Sequence, residues 1–198
     1  MILKRSGTLK GSDKSSKMLK HLKEFVWELK DEIARFNYIN EIIMKIPGGV
    51  GQKIRRYIIP WYFQSCGRNI TIFENVRFRS LHRMAIGDNV DLGVDNFFQA
   101  GGGITIGNDV IFGPGVKIWS INHRVERTDI PIREQGYNRE SVTIDDGVWL
   151  GANVFVMPGV HITQGCVVSA GSVVGKKKYP SYSIISGNPA RVIGNRKT

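Results

Sequence analysis

A six-residue repeat runs through this chain from about Met84 to Val174 and limits the folds that it can adopt. Twelve aliphatic or aromatic residues fall six apart in three runs, and glycine directly follows six of them. The runs are Ile86, Leu92 and Phe98; Ile106, Phe112 and Ile118; and Ile144, Leu150, Val156, Ile162, Val168 and Val174. A period of six matches neither the roughly 3.6 residues of a helical turn nor the alternation of a long strand. It predicts short strands joined by tight turns, with one inward side chain per repeat, which is a solenoid.

The repeat is interrupted twice. The step from Phe98 to Ile106 is eight residues, an excess of two. The step from Ile118 to Ile144 is 26 residues, where 24 would keep the period. Part of residues 120–141, a polar and charged stretch without periodicity, is therefore expected to leave the coil as an excursion loop. Long loops in compact repeats are usually functional or disordered.

The region before the repeats is helical by pattern. Residues 17–46 carry apolar side chains at helical spacing with charged residues between them, which predicts one or two amphipathic helices. Pro47 and the glycines after it end this pattern. The next segment, GQKIRRYIIPWYFQSCG (51–67), combines basic and aromatic side chains. Two alternatives stay open for it: docking on a membrane surface, or a helix that caps the open end of the next domain.

These patterns divide the chain into three regions. They are a basic helical extension (1–66), the repeat domain with its excursion loop at about 120–141 (67–182) and a C-terminal tail (183–198). The net charge is +11, and residues 1–60 hold 13 Lys/Arg against 6 Asp/Glu, so positive charge concentrates in the extension. Peripheral association of residues 1–60 with a membrane is one expectation. No nucleic-acid-binding motif is present, so no nucleic acid partner is expected.

Cysteine content and hydropathy indicate the compartment. The two cysteines, Cys66 and Cys166, are too few for a disulfide framework and lie in no zinc-binding pattern. No apolar run reaches signal-peptide length or the roughly 18 residues of a membrane span. The protein is expected in the cytoplasm, with the inner face of the membrane as an alternative position.

Three segments carry a family resemblance. They are ITIGNDVIFGPGVKIWSINH (104–123), VTIDDGVWLGANVFVMPGV (142–160) and SAGSVVGKKKYPSYSIISGNPARVIG (169–194). In this order they resemble the hexapeptide-repeat acyltransferases of the sugar and polysaccharide O-acetyltransferase type. The resemblance implies a mainly β fold, a left-handed parallel β-helix with an N-terminal α-helical extension. It also implies a homotrimer that uses acetyl-coenzyme A as co-substrate and a sugar-containing acceptor.

His123 is the candidate catalytic residue. It stands at the end of a repeat and at the mouth of the excursion loop, where a side chain can leave the packed coil. A neutral imidazole can take a proton from a hydroxyl, and the resemblance places the family's catalytic histidine here. Zinc enzymes on the same coil need converging histidines, whereas no two histidines here are closer than 38 residues. No metal is therefore expected.

The resemblance also assigns the cofactor site. It places Trp149 and Gly151 beside the acyl pocket, and the backbone N–H of Gly151 or Ala152 is expected to stabilise an oxyanion. Five residues fall at coenzyme A contacts, where small residues allow close approach and cations meet phosphates. These five are Ala152, Ala170, Gly175, Lys176 and Arg191.

The acceptor site departs from that of the galactoside and maltose acetyltransferases. The asparagine and aspartate that hold the sugar in those enzymes fall on Gly93 and Gly101. A different acceptor is therefore expected, with Asp95 and Asn96 as candidate contacts. Charged residues of the excursion loop are further candidates: Arg124, Glu126, Arg127, Asp129, Arg133, Glu134 and Gln135.

The implied activity is acetyl transfer from acetyl-coenzyme A to a hydroxyl of a sugar in a cell-surface polysaccharide or its lipid- or nucleotide-linked precursor. Two alternatives stay open. One is N-acetylation of an amino sugar or a xenobiotic, because no motif separates oxygen from nitrogen as the acceptor. The other is a non-catalytic solenoid with a structural or anchoring role, because a fold does not define a function.

Overall fold

The computed structural model describes residues 11–197, without the side chains of residues 11–13, 32 and 33. The chain forms two compact units that divide between Ile42 and Ile43. Each unit has its own internal contacts.

The first unit contains two helices, α1 (Gly11–Glu28) and α2 (Glu32–Ile43), as the helical spacing predicts. The ring of Phe25 meets that of Tyr38 edge to face, with centroids 5.1 Å apart. The Tyr38 hydroxyl donates a 2.6 Å hydrogen bond to a carboxylate oxygen of Glu28. These contacts join α1 to α2. Across the described residues, no helix combines the length and the apolar character that a bilayer crossing requires.

The second unit is a parallel β-helix in which each turn contributes three strands of two or three residues. Five such turns are complete within residues 65–174. The strands are β1 (Ser65–Cys66), β2 (Thr71–Ile72) and β3 (Arg77–Arg79); β4 (Met84–Ile86), β5 (Asp91–Leu92) and β6 (Phe97–Gln99); β7 (Ile104–Ile106), β8 (Ile111–Phe112) and β9 (Lys117–Trp119); the inserted β10 (Ile121–His123) and β11 (Tyr137–Arg139); β12 (Val142–Ile144), β13 (Trp149–Leu150) and β14 (Phe155–Val156); β15 (His161–Ile162), β16 (Val167–Val168) and β17 (Val173–Val174); and the final β18 (Ser183–Gly187) and β19 (Ala190–Asn195).

The strands form three parallel sheets, called A, B and C here in the order in which each turn visits them. Sheet A is β1-β4-β7-β12-β15, sheet B is β2-β5-β8-β13-β16-β18 and sheet C is β3-β6-β9-β14-β17. Pairing in register stacks the repeat residues into buried columns. The column of sheet B is Ile72, Leu92, Phe112, Leu150, Val168 and Ile185. The repeat therefore builds the core, and the fold is the mainly β, left-handed parallel β-helix that the sequence predicts.

Corner residues turn the chain between sheets. Asn69, Asn89 and Asp109 occupy equivalent corners between sheets A and B, with φ angles of 63°, 57° and 56°. Asparagine and aspartate are the non-glycine residues that most often adopt this left-handed conformation. The amide of Asn69 donates to the side-chain oxygen of Asn89 at 3.0 Å, and that of Asn89 donates to Asp109 at 2.9 Å. The corners are thus tied from one turn to the next.

A third helix, α3 (Gly48–Ile58), caps the first turn. The Arg55 side chain is fully buried, with its Nε donating to the Ile72 carbonyl at 2.8 Å. Its Nη1 donates to the carbonyls of Ile43 at 3.0 Å and Ile46 at 2.7 Å. Burial lowers the pKa of the Arg55 guanidinium below its ordinary value, and the charge of Glu74 opposes that shift. Residues 43–66 thus pack with the repeats, although the sequence groups them with the extension.

The coil ends in an antiparallel hairpin. Strand β18 adds a sixth strand to sheet B by pairing with β16, and β19 then runs back along β18. The Ser183 and Ala190 side chains are buried, so residues 183–195 are ordered strands where the sequence suggests a tail.

Candidate active site

A cleft of about 620 Å³ opens at the corner between sheets C and A, where residues 120–141 leave the coil. This excursion is a hairpin in which β10 and β11 pair antiparallel. The residues that shape the cleft come from the ends of β3, β6 and β9, with the corners that follow the first two, and from the hairpin. The corner after β3 supplies Arg79, His82 and Arg83, and the hairpin supplies His123, Tyr137 and Arg139. The predicted catalytic residue therefore lies in a cavity large enough for a sugar.

His123 is held by the hairpin and exposed to the cleft. It ends β10 directly opposite Tyr137, and the two ring centroids are 4.5 Å apart with planes inclined at 39°. In the described part of the chain, neither ring nitrogen of His123 has a hydrogen-bond partner. Both nitrogens are therefore available to a substrate, and the neutral imidazole can accept a proton from a hydroxyl.

The base of the hairpin is anchored on Gly102. The Gly102 N–H donates to the Ser120 hydroxyl oxygen at 2.9 Å, and that hydroxyl donates to the Gln99 carbonyl at 2.8 Å. The Glu140 N–H donates to the Ser120 carbonyl at 3.0 Å and closes the base. A Cβ atom on Gly102 would lie 2.1 Å from the Ser120 carbonyl oxygen. Glycine in the eight-residue step therefore makes room for the hairpin that carries His123.

The charged side chains at the tip of the excursion loop form hydrogen bonds with one another and do not line the cleft. The Arg127 N–H donates to the Gln135 side-chain oxygen at 3.0 Å, and the Gln135 amide donates back to the Arg127 carbonyl at 2.7 Å. The Arg127 Nε donates to Asp129 at 2.9 Å. The loop residues singled out from sequence lie outside the lining of the cleft, whereas Tyr137 and Arg139 at the hairpin base contribute to it.

The other histidines have different surroundings. His82 lines the cleft, a position that its irregular sequence context does not indicate. His21 lies 3.1 Å from a carboxylate oxygen of Glu24, and His161 lies 2.9 Å from both carboxylate oxygens of Asp145. Within the described residues, no group of three His, Cys, Asp or Glu side chains is arranged to hold a metal ion.

Trp149 lies on the outer face of sheet B, 51% exposed. It pairs in register with Ile111 of the preceding turn and Val167 of the next, and Ile111 is also exposed. Alternation along the strand explains this, because Leu150 points into the core and its neighbour must point out. The three side chains form an outward apolar strip on sheet B.

The two candidate oxyanion donors differ in availability. The Gly151 N–H donates to the Val168 carbonyl at 2.8 Å, so it is already used within the sheet. The Ala152 N–H has no acceptor among the described residues. A Cβ atom on Gly151 would lie 2.6 Å from the Ala170 nitrogen, so glycine is required for turns to stack here. Ala152 is the donor that the geometry leaves free.

The remaining cofactor candidates are spread along the last turns. Ala152 and Ala170 stack at one corner of successive turns, where the Gly171 N–H donates to the Ala152 carbonyl at 2.8 Å. Gly175 follows β17. The Lys176 ammonium group forms an ion pair with Glu140 at the hairpin base. Arg191 is exposed on β19, opposite Ser186.

Asp95 and Asn96 occupy the corner between sheets B and C, away from the cleft. Asp95 is exposed and takes a left-handed φ of 59°. The Asn96 side chain is fully buried, and its amide donates to the Gly113 carbonyl at 2.7 Å. Asn96 therefore holds the corner together and does not reach solvent.

A single chain places the candidate residues on different faces. His123 lies at the corner between sheets C and A, and Lys176 is linked to the same hairpin through Glu140. Trp149 lies on sheet B and is not part of the cleft lining. One copy of the chain therefore does not bring the candidate catalytic histidine and the candidate acyl-pocket tryptophan together.

Comparison with known proteins places this geometry in a family. The family model described as bacterial transferase hexapeptide (six repeats) matches residues 141–176. A putative acetyltransferase of Staphylococcus aureus is 33% identical over 142 residues, which cover 70% of this chain and 68% of the relative. The galactoside O-acetyltransferase of Lactococcus lactis is 43% identical over 89 residues, covering 45% of this chain and 42% of that protein.

Solved structures agree with the sequence relatives. A galactoside acetyltransferase in complex with coenzyme A superposes with a TM-score of 0.71 at 26% identity, covering 80% of this chain and 79% of that one. The matched stretches span only about two fifths of some curated relatives, including a probable acetyltransferase of Mycobacterium tuberculosis at 38% of its length. Three findings lead to one assignment. They are the six-residue repeat, the β-helix fold, and the Staphylococcus relative, whose match covers more than two thirds of both chains. This chain belongs to the hexapeptide-repeat acetyltransferase family.

Proposed function

We propose that this protein transfers an acetyl group from acetyl-coenzyme A to a hydroxyl of a sugar in a cell-surface polysaccharide or its precursor. The observation that carries the proposal is the exposed His123 imidazole in the cleft, with both ring nitrogens free of partners among the described residues. The galactoside O-acetyltransferase name of one relative supports a sugar hydroxyl as the acceptor.

The proposed chemistry is direct transfer. His123 takes the proton of the acceptor hydroxyl while that oxygen attacks the thioester carbonyl carbon. The Ala152 N–H donates to the oxyanion of the tetrahedral intermediate. The intermediate then expels the coenzyme A thiolate, which receives the proton from the His123 imidazolium. Positioned general base catalysis of this kind contributes about 10²- to 10⁴-fold in rate.

The cofactor is proposed to lie along the later turns of the coil. Trp149 and Gly151 border the acetyl group, while Ala152, Ala170 and Gly175 allow close approach of the pantetheine chain. Arg191 and Lys176 offer cations for the phosphates. The solved galactoside acetyltransferase bound to coenzyme A supports this cofactor.

We propose that three copies assemble and complete the site. The outward strip of Ile111, Trp149 and Val167 is apolar surface suited to a neighbouring chain. Because His123 and Trp149 lie on different faces of one chain, a neighbour that presents its sheet B to the cleft would join them. Closed cyclic symmetry would repeat that contact at each interface.

The function is tested by incubating purified protein with radiolabelled acetyl-coenzyme A and fractionated sugar-containing extracts. We expect label in a polysaccharide or precursor fraction and its release by mild base, because an ester is base-labile. Label that resists base would indicate N-acetylation instead. No label, together with no rise in Tm on adding acetyl-coenzyme A, would indicate a non-catalytic solenoid.

We also propose a cytoplasmic location with peripheral membrane contact through residues 1–60. Leu22, Val26 and Trp27 lie exposed on α1 beside lysines, as in helices that rest in the lipid interface.

In a density-gradient flotation assay, we expect the protein to float with vesicles that contain anionic lipid. The Val26→Ser variant should float markedly less, whereas Ile42→Ser, at a more exposed apolar position on α2, should float like the wild type. Equal flotation of all three would contradict contact through α1.

A further inference from the structure

The cleft beside His123 is lined by unbalanced positive charge. Arg79, Arg83 and Arg139 all contribute to it, and no Asp or Glu belongs to its lining. In the described part of the chain, none of the three arginines lies within ion-pair distance of a carboxylate. Three cationic groups therefore face the entrance of the acceptor without an internal counterion.

The three arginines converge from separate elements. Arg79 ends β3, and Arg83 ends the 3-10 turn Leu81–Arg83 that follows. One Nη of Arg83 donates to the Gly101 carbonyl at 3.0 Å, which leaves most of its N–H groups available. Arg139 lies on β11 of the hairpin, two residues after Tyr137, the partner of His123, and pairs with Ile121. The fold thus brings two parts of the chain together around one cavity.

Grouping like charges without carboxylates costs electrostatic energy unless a ligand supplies the opposite charge. Guanidinium groups only donate hydrogen bonds, and their planar fork matches the oxygens of phosphate and carboxylate. Three of them suit a diphosphate better than a single carboxylate, which would leave most of the positive charge unbalanced. Trp119 and Tyr137 also line the cleft and add aromatic surface that a sugar ring or a base can contact.

We propose that the acceptor of this protein is a phosphoryl-linked sugar, such as a sugar joined to a nucleoside or lipid diphosphate. Arg79, Arg83 and Arg139 bind its phosphoryl groups and hold the sugar hydroxyl against His123. The inference rests on the proposed acetyl transfer and names its acceptor class. It selects a precursor over a finished neutral polysaccharide as the substrate.

The test is calorimetric binding of four probes to the full-length protein at low salt, with and without excess coenzyme A. The probes are uridine diphosphate glucose, inorganic pyrophosphate, methyl glucuronide and methyl glucoside. We expect the two diphosphates to bind at least about tenfold more tightly than the glucuronide and the glucoside, because charge-assisted bonds are strong. Their binding should weaken at high salt, because the arginines are exposed and their charges are screened.

Matched variants locate the site. Arg79→Gln and Arg139→Gln should each weaken diphosphate binding by about tenfold. Arg77→Gln removes the same charge from the same strand and the same outward face, but Arg77 does not line the cleft. It should leave binding within about twofold of the wild type. Equal losses in all three variants, or tightest binding of the glucuronide, would overturn the proposal.

The two proposals fail in different ways. Diphosphate binding that depends on Arg79 and Arg139, without acetyl transfer to any acceptor, would reject the transferase function and keep the anion site. Acetyl transfer to uncharged glycosides at a rate unchanged in Arg139→Gln would reject the phosphoryl-linked acceptor and keep the transferase. Circular dichroism of each variant checks that the fold is retained.

Discussion

Substitution of His123 by alanine is expected to lower kcat for acetyl transfer by about 10²- to 10⁴-fold, because the acceptor hydroxyl loses its general base. The side chain is exposed, and its ring contacts Tyr137, so the fold should tolerate the change. Release of free coenzyme A thiol measures the rate, and a thermal shift with coenzyme A measures binding. The control is His161→Ala, an exposed histidine outside the cleft, which should keep wild-type activity. Full activity of the His123→Ala variant would contradict the proposed mechanism.

Mixing variants tests whether the site is shared between copies. Co-expressed His123→Ala and Trp149→Ala chains each lack one proposed component. If the histidine of one chain works with the tryptophan of its neighbour, about a quarter of the interfaces in mixed assemblies regain both groups. Activity should then return toward that fraction and exceed the residual activity of either variant alone. No recovery would mean that both residues act within one chain.

Replacement of Arg55 by methionine is expected to lower the free energy of unfolding by about 3 kcal/mol, because buried carbonyls lose their charged donor. Those carbonyls belong to Ile43, Ile46 and Ile72, and Arg55 itself is fully buried. Methionine keeps most of the side-chain volume, so the change is mainly one of hydrogen bonding and charge. Urea denaturation followed by tryptophan fluorescence measures the loss.

Arg56 provides the matched control for this variant. It is the next residue of α3, it is exposed, and its guanidinium donates to the Asn69 side chain at 3.0 Å. Arg56→Met should change the free energy of unfolding by no more than about 0.5 kcal/mol, as is usual for surface substitutions. Equal losses at Arg55 and Arg56 would show that charge on α3, and not the buried contacts, stabilises the first turn.

The core of the fold could be predicted from spacing alone. Residues six apart, such as Leu92, Ile118 and Val156, are all fully buried, because each repeat places one side chain inward. The start of the coil is expected at residue 67 and lies at Ser65, although the counted six-residue runs begin only at Ile86 and neither Ile72 nor Phe78 is followed by glycine. A capping helix is one of the two alternatives that the sequence leaves open for residues 51–67, but the packing of α3 on the first turn and the final hairpin depend on long-range contacts that no local repeat indicates.

The candidate site was only partly predictable. His123 could be singled out as a candidate because the repeat fails beside it, and it lines the cleft. Arg79 and Arg83 lie some 40 residues earlier in the chain, and only the stacking of turns brings them to the same cleft. Asn96 illustrates the converse, because this candidate acceptor contact is buried in a corner of the coil. Sequence spacing indicates which way a strand residue points, and not what lies opposite it two turns away.

The reversal of β19 along β18 also determines how copies of this protein can meet. A stack of parallel turns would present its last turn as a template for the first turn of another molecule. Here the edge strand of sheet B runs against that direction, and α3 occupies the opposite end. Sheet B is therefore covered at both of its edges, which opposes the end-to-end pairing of this sheet with another molecule.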